Sequence, residues 1–324
     1  MKNPSLLYLS QQDVVNVGLG IEKIIDLVEQ AFQEKGNGNV EMPPKPGIHT
    51  QPDAFIHAMP AFIPAMRSAG IKWVSGYPEN QARSLPYITG LLILNDVDTG
   101  LPYAIMDCVW ITAYRTAAAT AIAAKYLADA GSNTVGILAC GVQGRTNLEA
   151  LNALFPLKKV WAYDIVPEAL SMYVDEMSGK LDLEIIPVEK PIEAVRESDL
   201  VVTSGPILKH PEPTIQSGWL KAGGFASAVD FDSYWSADAL AEMDKISTDD
   251  HAQFKYYRSV GYFQDTPDPY ADLGEIVIGT VPRRERVDER IIAINLGLAI
   301  DDMAVAPEIY RRAIEMGIGV ELQL

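Results

Sequence analysis

The 324-residue chain holds only two cysteines, Cys108 and Cys140. Two thiols cannot build a disulfide framework or a cysteine-rich zinc site. Histidine is also scarce: four occur, at 49, 57, 210 and 251, and none forms H-E-x-x-H or another tight ligand spacing. No catalytic metal is expected on that basis. Basic residues are outnumbered, Lys plus Arg 26 against Asp plus Glu 43, for a formal net charge of −17. Such a balance opposes a phosphate backbone, which argues against a general nucleic-acid binder, although a few cations in a cleft can still steer small anions. No uncharged apolar run reaches the ~18 residues a membrane helix needs. The richest stretch, residues 116–128, is too short and contains Lys125. Residues 1–10 lack the basic segment and apolar core of a signal peptide. P-loop and G-x-S-x-G motifs, internal repeats and low-complexity tracts are missing as well. The expectation is a cytoplasmic enzyme with no membrane and no nucleic-acid partner.

What is present fits a folded enzyme. Hydrophobic residues make up 48% and charged residues 21%, values that argue against disorder, and the length suggests roughly two domains. Ser10-Gln-Gln-Asp13 reads as a helix start, and residues 14–32 carry apolar positions at helical spacing. Three prolines in Met42-Pro-Pro-Lys-Pro-Gly47 exclude helix there. Residues 54–60, 69–75, 87–96 and 102–106 read as strands joined without helices, which predicts a mixed or antiparallel sheet.

The pattern changes near residue 112. Residues 112–128 form an Ala-rich helix. Strands at 134–139, 159–163, 183–188, 199–204 and 225–229 then alternate with helices at 145–155, 167–178 and 191–197. That alternation is the mark of a parallel, doubly wound sheet. Residues 288–299 and 307–316 read as two closing helices. The second domain is expected to lie inside the sequence of the first.

One turn carries a cofactor signal. Ala139-Cys-Gly141-Val-Gln-Gly144 follows an apolar strand and precedes a helix. It departs from G-x-G-x-x-G by Ala in the first position. Glycines there allow a tight turn and close approach of a diphosphate to a helix N-terminus. Asp164 ends the next strand, 20 residues past Gly144. A carboxylate at that place bonds both ribose hydroxyls and repels a 2′-phosphate, favouring NAD(H) over NADP(H). Asp164 reads equally as a plain helix cap.

A set of charged residues completes the reading. Lys45 lies in the stiff Pro-rich loop. Lys72 stands between Ile71 and Trp73 in a strand. It either projects into a polar cleft, where burial would lower its pKa and suit it to carrying a proton, or lies on a solvated face. Arg115 opens the Ala-rich helix with Thr112 and Thr116, an arrangement suited to a carboxylate or diphosphate, or to an ordinary capped surface helix. Asp230 and Asp232 follow the strand at 225–229, where parallel sheets bind ligands, or they cap Ser233 onward. His57 is either a titrating group in a substrate cleft or a structural strand histidine.

The motifs Met42-Pro-Pro-Lys45, Ala58-Met-Pro60, Gly70-Ile-Lys-Trp-Val74, Pro78-Glu-Asn80, Leu85-Pro86, Thr99-Gly-Leu-Pro102 and Met106-Asp107 come in order along the chain. Arg115-Thr-Ala-Ala118, Ala124-Lys-Tyr-Leu127, Gly141-Val-Gln143, Asp272-Leu-Gly-Glu275 and Gly297-Leu-Ala299 follow. Together they resemble the ornithine cyclodeaminase / mu-crystallin family over nearly the whole chain. The resemblance implies an α/β fold: a Rossmann-type doubly wound parallel sheet inserted in a mixed-sheet α+β substrate-binding and dimerisation domain. Residues 1–115 with 296–324 would form the latter, and residues 116–295 the NAD-binding domain.

It further implies a homodimer acting by hydride transfer at the α-carbon of a small L-amino or imino acid, as a dehydrogenase or imine reductase. Cyclodeaminases that use NAD catalytically, and non-catalytic mu-crystallin-like nucleotide binders, are the other members to weigh. By the same resemblance Lys72 and Asp232 are the acid/base residues, and Lys45, His57 and Arg115 line the substrate. Arg115, Thr116, Gly141, Val142, Gln143, Gly144, Asp164, Thr203 and Ser204 would contact NAD. The chain departs from the family pattern at His57, where Arg is expected, at Tyr87 in place of Thr, at Asp230-Phe-Asp232 in place of Gly-Ala-Asp, and at Ile294-Asn-Leu-Gly297. These changes alter which amino acid fits, so ornithine does not follow as the substrate.

Overall fold

The structure is a computed structural model that describes residues 5–324, the side chain of Gln81 excepted. The expectation that residues 1–10 are no signal peptide rests in part on residues 1–4, which lie outside the described residues. The chain divides into two compact units. One runs to Arg115 and resumes with Leu298–Leu324, and the other comprises Thr116–Gly297.

The first part of the chain contains β1 (Ser5–Leu9), α1 (Gln11–Asn16), α2 (Ile21–Gly36), β2 (Gly47–Ile48), β3 (Phe55–Ile63), β4 (Ser68–Gly76), β5 (Ile88–Asn95), β6 (Pro102–Asp107) and α3 (Val109–Leu127). The middle follows with β7 (Thr134–Leu138), α4 (Val142–Leu154), β8 (Lys159–Tyr163), α5 (Pro167–Lys180), β9 (Glu184–Pro187), α6 (Pro191–Arg196), β10 (Leu200–Thr203) and β11 (Phe225–Ala228). Then come α7 (Ala237–Ala241), β12 (Lys245–Thr248), α8 (His251–Ser259), β13 (Ala271–Asp272), α9 (Leu273–Ile278) and β14 (Ile291–Ile294). The tail is α10 (Ala299–Met316) and β15 (Val320–Gln323).

In the first unit the described strands form a seven-stranded sheet in the order β15-β1-β6-β5-β4-β3-β2. β1 pairs parallel to β6, and the other pairs are antiparallel, so the sheet is mixed. α10 packs on β3, β4 and β5 and against α2. Strand alternation sends Ser68, Lys72 and Val74 of β4 inward and leaves Trp73 outward, 47% exposed. Lys72 therefore stands in a cross-strand row with Met59, Leu92 and Met106, all of them buried.

In the second unit the described strands form an eight-stranded sheet, β13-β12-β14-β11-β10-β7-β8-β9, parallel throughout. Starting from β7, the chain builds outward through β8 and β9, then returns to the other side of β7 with β10, β11 and β14. The order therefore reverses between β7 and β10, and the carboxyl ends of that pair mark the ligand-binding crevice of such sheets.

The expected mixed sheet and doubly wound sheet are both present, with four local differences. The single helix expected over residues 14–32 is two, α1 and α2. They are broken at Gly18, whose φ of +64° suits glycine. The helix expected over 288–299 is instead strand β14, buried at every position. A short apolar run bounded by turns fits a fully buried strand and a buried helix alike, and sheet pairing on both sides decided it. The last helix begins at Ala299, so Pro307 lies inside it rather than at its start. Proline lacks the N–H that would bond the Met303 carbonyl four residues back. The Ser68 hydroxyl donates to that carbonyl instead, at 2.6 Å. Finally, α3 starts at Val109, whose N–H is received by Asp107. Arg115 therefore sits in the second turn of α3 and does not open it.

Candidate active site

In the first unit the buried row at Lys72 becomes a charge cluster. Lys72 is fully buried, which removes the solvated-face reading. Its Nζ lies 2.8 Å from Asp302 Oδ1 and 2.7 Å from Oδ2, and donates to the Thr112 hydroxyl at 3.3 Å. The Arg115 guanidinium, also buried, reaches Asp301 Oδ2 at 3.3 Å and Asp302 Oδ1 at 3.4 Å. Asp301 meanwhile accepts the Leu298 N–H and so caps α10. Two cations and two carboxylates thus interlock. Burial lowers the Lys72 pKa, the neighbouring Arg115 charge lowers it further, and Asp302 opposes both.

Lys45 and His57 are buried as well. β2 is so close that a Cβ on Gly47 would fall 2.3 Å from the His57 ring. On its own strand the imidazole stacks on Phe55 with ring centroids 4.2 Å apart. Burial first, then the Lys45, His49 and Lys72 charges, push the His57 pKa down to about 3. It is therefore neutral at physiological pH. Four of the expected residues, Lys45, His57, Lys72 and Arg115, are brought into one electrostatic neighbourhood.

The sequence reading missed Asp301 and Asp302, which pair with Lys72 and Arg115. Their signal was present: two carboxylates directly before Met303-Ala-Val-Ala306, in a helix otherwise buried at those positions. Charged residues are almost never fully buried unless paired.

In the second unit the expected turn lies at the switch point. The strand end is carried by Ala139, at φ +79°, and Gly141 is the N-cap of the 13-residue helix α4. No side chain caps this helix end. A Cβ built on Gly141 meets nothing within 4 Å, whereas one on Gly144 would fall 2.4 Å from the Ala139 carbonyl oxygen. Gly141 thus leaves open space beside free helix N–H groups, and Gly144 lets α4 close on β7. Val142 points outward, and the Gln143 side chain accepts from Asn147 one turn along.

Asp164 closes the turn. Its Oδ2 accepts the Cys140 N–H at 2.7 Å and its Oδ1 the Val166 N–H. Ser204 donates from its backbone to the Leu138 carbonyl and from its hydroxyl to the Ala139 carbonyl, tying β10 to the same turn. Thr203 turns its hydroxyl inward. It is fully buried, donating to Asp230 at 2.7 Å and accepting from the Trp235 indole at 3.2 Å, so its hydroxyl is committed to the interior. Burial raises the pKa of that same carboxyl, Asp230, to about 7. Asp232, partly exposed, accepts from the Thr266 hydroxyl at 2.7 Å, and burial raises its pKa also. Thr116 is buried at the start of this unit. Among the described residues His251, Asp272 and Glu275 lie near one another, but Asp272 and Glu275 are spent on the capping box of α9 and His251 is exposed.

The chemistry of the turn fits a dinucleotide: an open glycine, uncapped helix N–H groups and a carboxylate at the end of the next strand. These features define an α/β protein of the doubly wound class whose other unit carries a buried lysine–arginine–carboxylate cluster. The chain belongs to the ornithine cyclodeaminase/mu-crystallin family, whose sequence pattern matches residues 7–317.

It is 36% identical to the nodulation efficiency protein NfeD of Rhizobium meliloti, over 96% of this chain and 97% of that one. It is 33% identical to an alanine dehydrogenase of Archaeoglobus fulgidus, over 98% of each. Among solved structures it resembles the Thermococcus litoralis Delta(1)-pyrroline-2-carboxylate reductase in complex with NADH and L-proline, with TM-score 0.88, 32% identity and coverage of 97% and 99%. An archaeal alanine dehydrogenase dimer with bound NAD matches with TM-score 0.88 and 31% identity, over 99% of this chain and all of that one.

Proposed function

We propose that this chain is an NAD(H)-dependent oxidoreductase acting at the α-carbon of a small L-amino or imino acid, as an amino-acid dehydrogenase or imine reductase. The observation that carries the reading is Lys72, a fully buried lysine held at 2.7 Å by a carboxylate beside a buried arginine. Buried ion pairs are often no more stabilising than apolar residues of similar volume, which supports a chemical role for the set.

In this reading the second unit holds NAD through Gly141, Val142, Gln143, Gly144, Asp164 and the Ser204 turn, with Arg115 and Thr116 contributing. When bound, NAD supplies the acceptor or donor of hydride. Arg115 and Lys45 take the substrate carboxylate, which a guanidinium and an ammonium suit. Neutral His57 offers the substrate a hydrogen bond without a charge. The Lys72 ammonium gives a proton to the substrate nitrogen in reduction and takes one back in oxidation. Asp232 serves the amine or the attacking water, and its burial-raised pKa brings its proton nearer to neutral pH.

A homodimer belongs to the same reading. The sheet face opposite α10 carries cross-strand rows Ala58–Trp73–Leu91 and Pro60–Ile71–Ile93, with Trp73 47% and Leu91 46% exposed. A second copy would cover this apolar face, and the structure of the archaeal alanine dehydrogenase is of a dimer.

The test is a screen of amino acids with NAD, and of 2-oxo acids plus ammonia with NADH, following NADH and ammonia together. Stoichiometric NADH formation or consumption supports the reading. Ammonia release with catalytic NAD and no NADH accumulation marks a cyclodeaminase instead. Lys72→Met must abolish turnover while NADH binding persists, and turnover that survives the change removes the proton-transfer assignment.

A further inference from the structure

We infer that Asp302 is a positioning residue that holds the Lys72 ammonium charged and aimed, and so sets the pH range in which Lys72 can donate its proton. The inference rests on the proton-transfer reading of Lys72 given above.

The geometry comes first. One carboxylate serves both site cations: Asp302 reaches Lys72 Nζ with both oxygens, at 2.8 and 2.7 Å, and faces Arg115 Nε at 3.4 Å. All of Asp302 is buried, away from bulk solvent. Lys72 has little else that favours its charge. Its row neighbours, Met59, Leu92 and Met106, are apolar. The Thr112 hydroxyl on α3 lies farther, at 3.3 Å. Arg115, on the same helix, repels it. His57 on β3 is held neutral, its pKa near 3. Cys108 stands before α3 as a protonated thiol, pushed up to about 11 by burial. Among the described residues, Asp302 is thus the carboxylate in direct contact with the ammonium.

The position of Asp302 is fixed by backbone as well as charge. It lies in the first turn of α10, whose start is capped by its neighbour Asp301. Farther along, the Met303 carbonyl left without a helix donor by Pro307 is tied to Ser68 on β4, the strand of Lys72. Helix and strand are therefore pinned together one residue beyond Asp302, and the carboxylate is held against the ammonium. Asp301 and Asp302 divide their labour: Asp301 binds Arg115 and caps the helix, and Asp302 governs Lys72.

The experiment follows Lys72 directly, in ligand-free protein, by titrating 15N-labelled lysine Nζ and 13C-labelled aspartate Cγ with NMR, the Lys72 signal being assigned by its loss in Lys72→Arg. In the native protein Lys72 should remain charged through neutral pH, and the Asp302 Cγ signal should move when Lys72 finally loses its proton. Asp302→Asn should lower the Lys72 midpoint by about 1–3 pH units, the range for removing an opposite charge at this distance. Asp302→Glu, which keeps the charge, should restore most of it.

The inference is overturned by an unmoved midpoint in Asp302→Asn, by a native Lys72 already neutral at pH 7, or by an Asp302 signal indifferent to Lys72. The native readings decide the matter even if the Asn variant does not fold. In the kinetic arm the alkaline limb of the reductive kcat should move down with the NMR midpoint, while NADH affinity holds. A merely structural role lowers kcat without moving that limb. Native protein that turns over nothing in the substrate screen removes the oxidoreductase reading and leaves the NMR result standing. Normal turnover with an unmoved midpoint removes only the role of Asp302.

Discussion

Two glycines three residues apart should fail in opposite ways. At Gly141 an added methyl meets no atom within 4 Å, and the residue's φ of −80° is one that alanine adopts freely. Gly141→Ala should therefore leave the fold intact, the gain of about 0.4–1 kcal/mol from restricting the unfolded chain being offset by alanine's poorer performance at a helix N-cap. The space it fills is where the bound diphosphate would press against the α4 N–H groups. Overpacking of a fitted contact costs about 1–3 kcal/mol, which corresponds to a loss of NADH affinity of roughly 5- to 150-fold.

At Gly144 the same methyl would lie 2.4 Å from the Ala139 carbonyl oxygen and 3.1 Å from Ile137 Cγ2. Neither neighbour is the far end of a flexible side chain, so α4 must back away from β7. Gly144→Ala should lower stability by about 1–3 kcal/mol and weaken NADH binding as a consequence. Thermal melts by circular dichroism and calorimetric titration with NADH separate the two. Gly141→Ala that binds NADH with native affinity refutes the placement of the diphosphate. Gly141→Ala that melts well below native refutes the open space on which the argument is built.

Other changes probe other parts of the molecule. Asp164→Asn keeps an acceptor for the Cys140 N–H but removes the charge, so the preference for NADH over NADPH should narrow by about tenfold, equivalent to about 1.4 kcal/mol; an unchanged preference in paired titrations counts against the ribose role. Trp73→Lys places a charge on the apolar sheet face and should dissociate the proposed dimer in sedimentation run beside the native chain; an unaltered dimer moves the interface elsewhere. His57 supplies a pH signature. Its folded pKa, about 3, lies below the ordinary 6.5, so the unfolded chain takes up a proton that the folded one refuses, and stability present above about pH 6.5 is lost as the pH falls toward 3. His57→Gln should flatten that decline in urea midpoints measured between about pH 7 and pH 4, and an equally steep decline would contradict the burial argument.

Much of this was legible in local patterns. Alternation in β4 already marked Lys72 and Val74 as lying on the face opposite Trp73, because a strand's side chains point to opposite faces in turn. The glycine turn, the apolar strand before it and Asp164 at the next strand end are all read within about 30 residues, where short-range geometry suffices. Elements whose identity depends on what packs around them were not legible in that way. Residues 291–294 are a short apolar run that fits a buried helix or a buried strand, and pairing with β11 and β12 on either side makes them a strand. Pro307 reads as a helix start, and inside α10 it leaves the Met303 carbonyl to the Ser68 hydroxyl, which lies 235 residues before Met303 in sequence.

The sequence by itself determined which residues carry charge, where the chain must turn, and which family pattern it follows. It did not determine the protonation of those charges. Lys72 reads the same whether it is bathed in solvent or sealed in the interior. Its state is set by Asp302, 230 residues further along, and by Arg115 beside it. Electrostatic energy depends on distance and local polarity, and both arise only when the two ends of the chain fold into one unit.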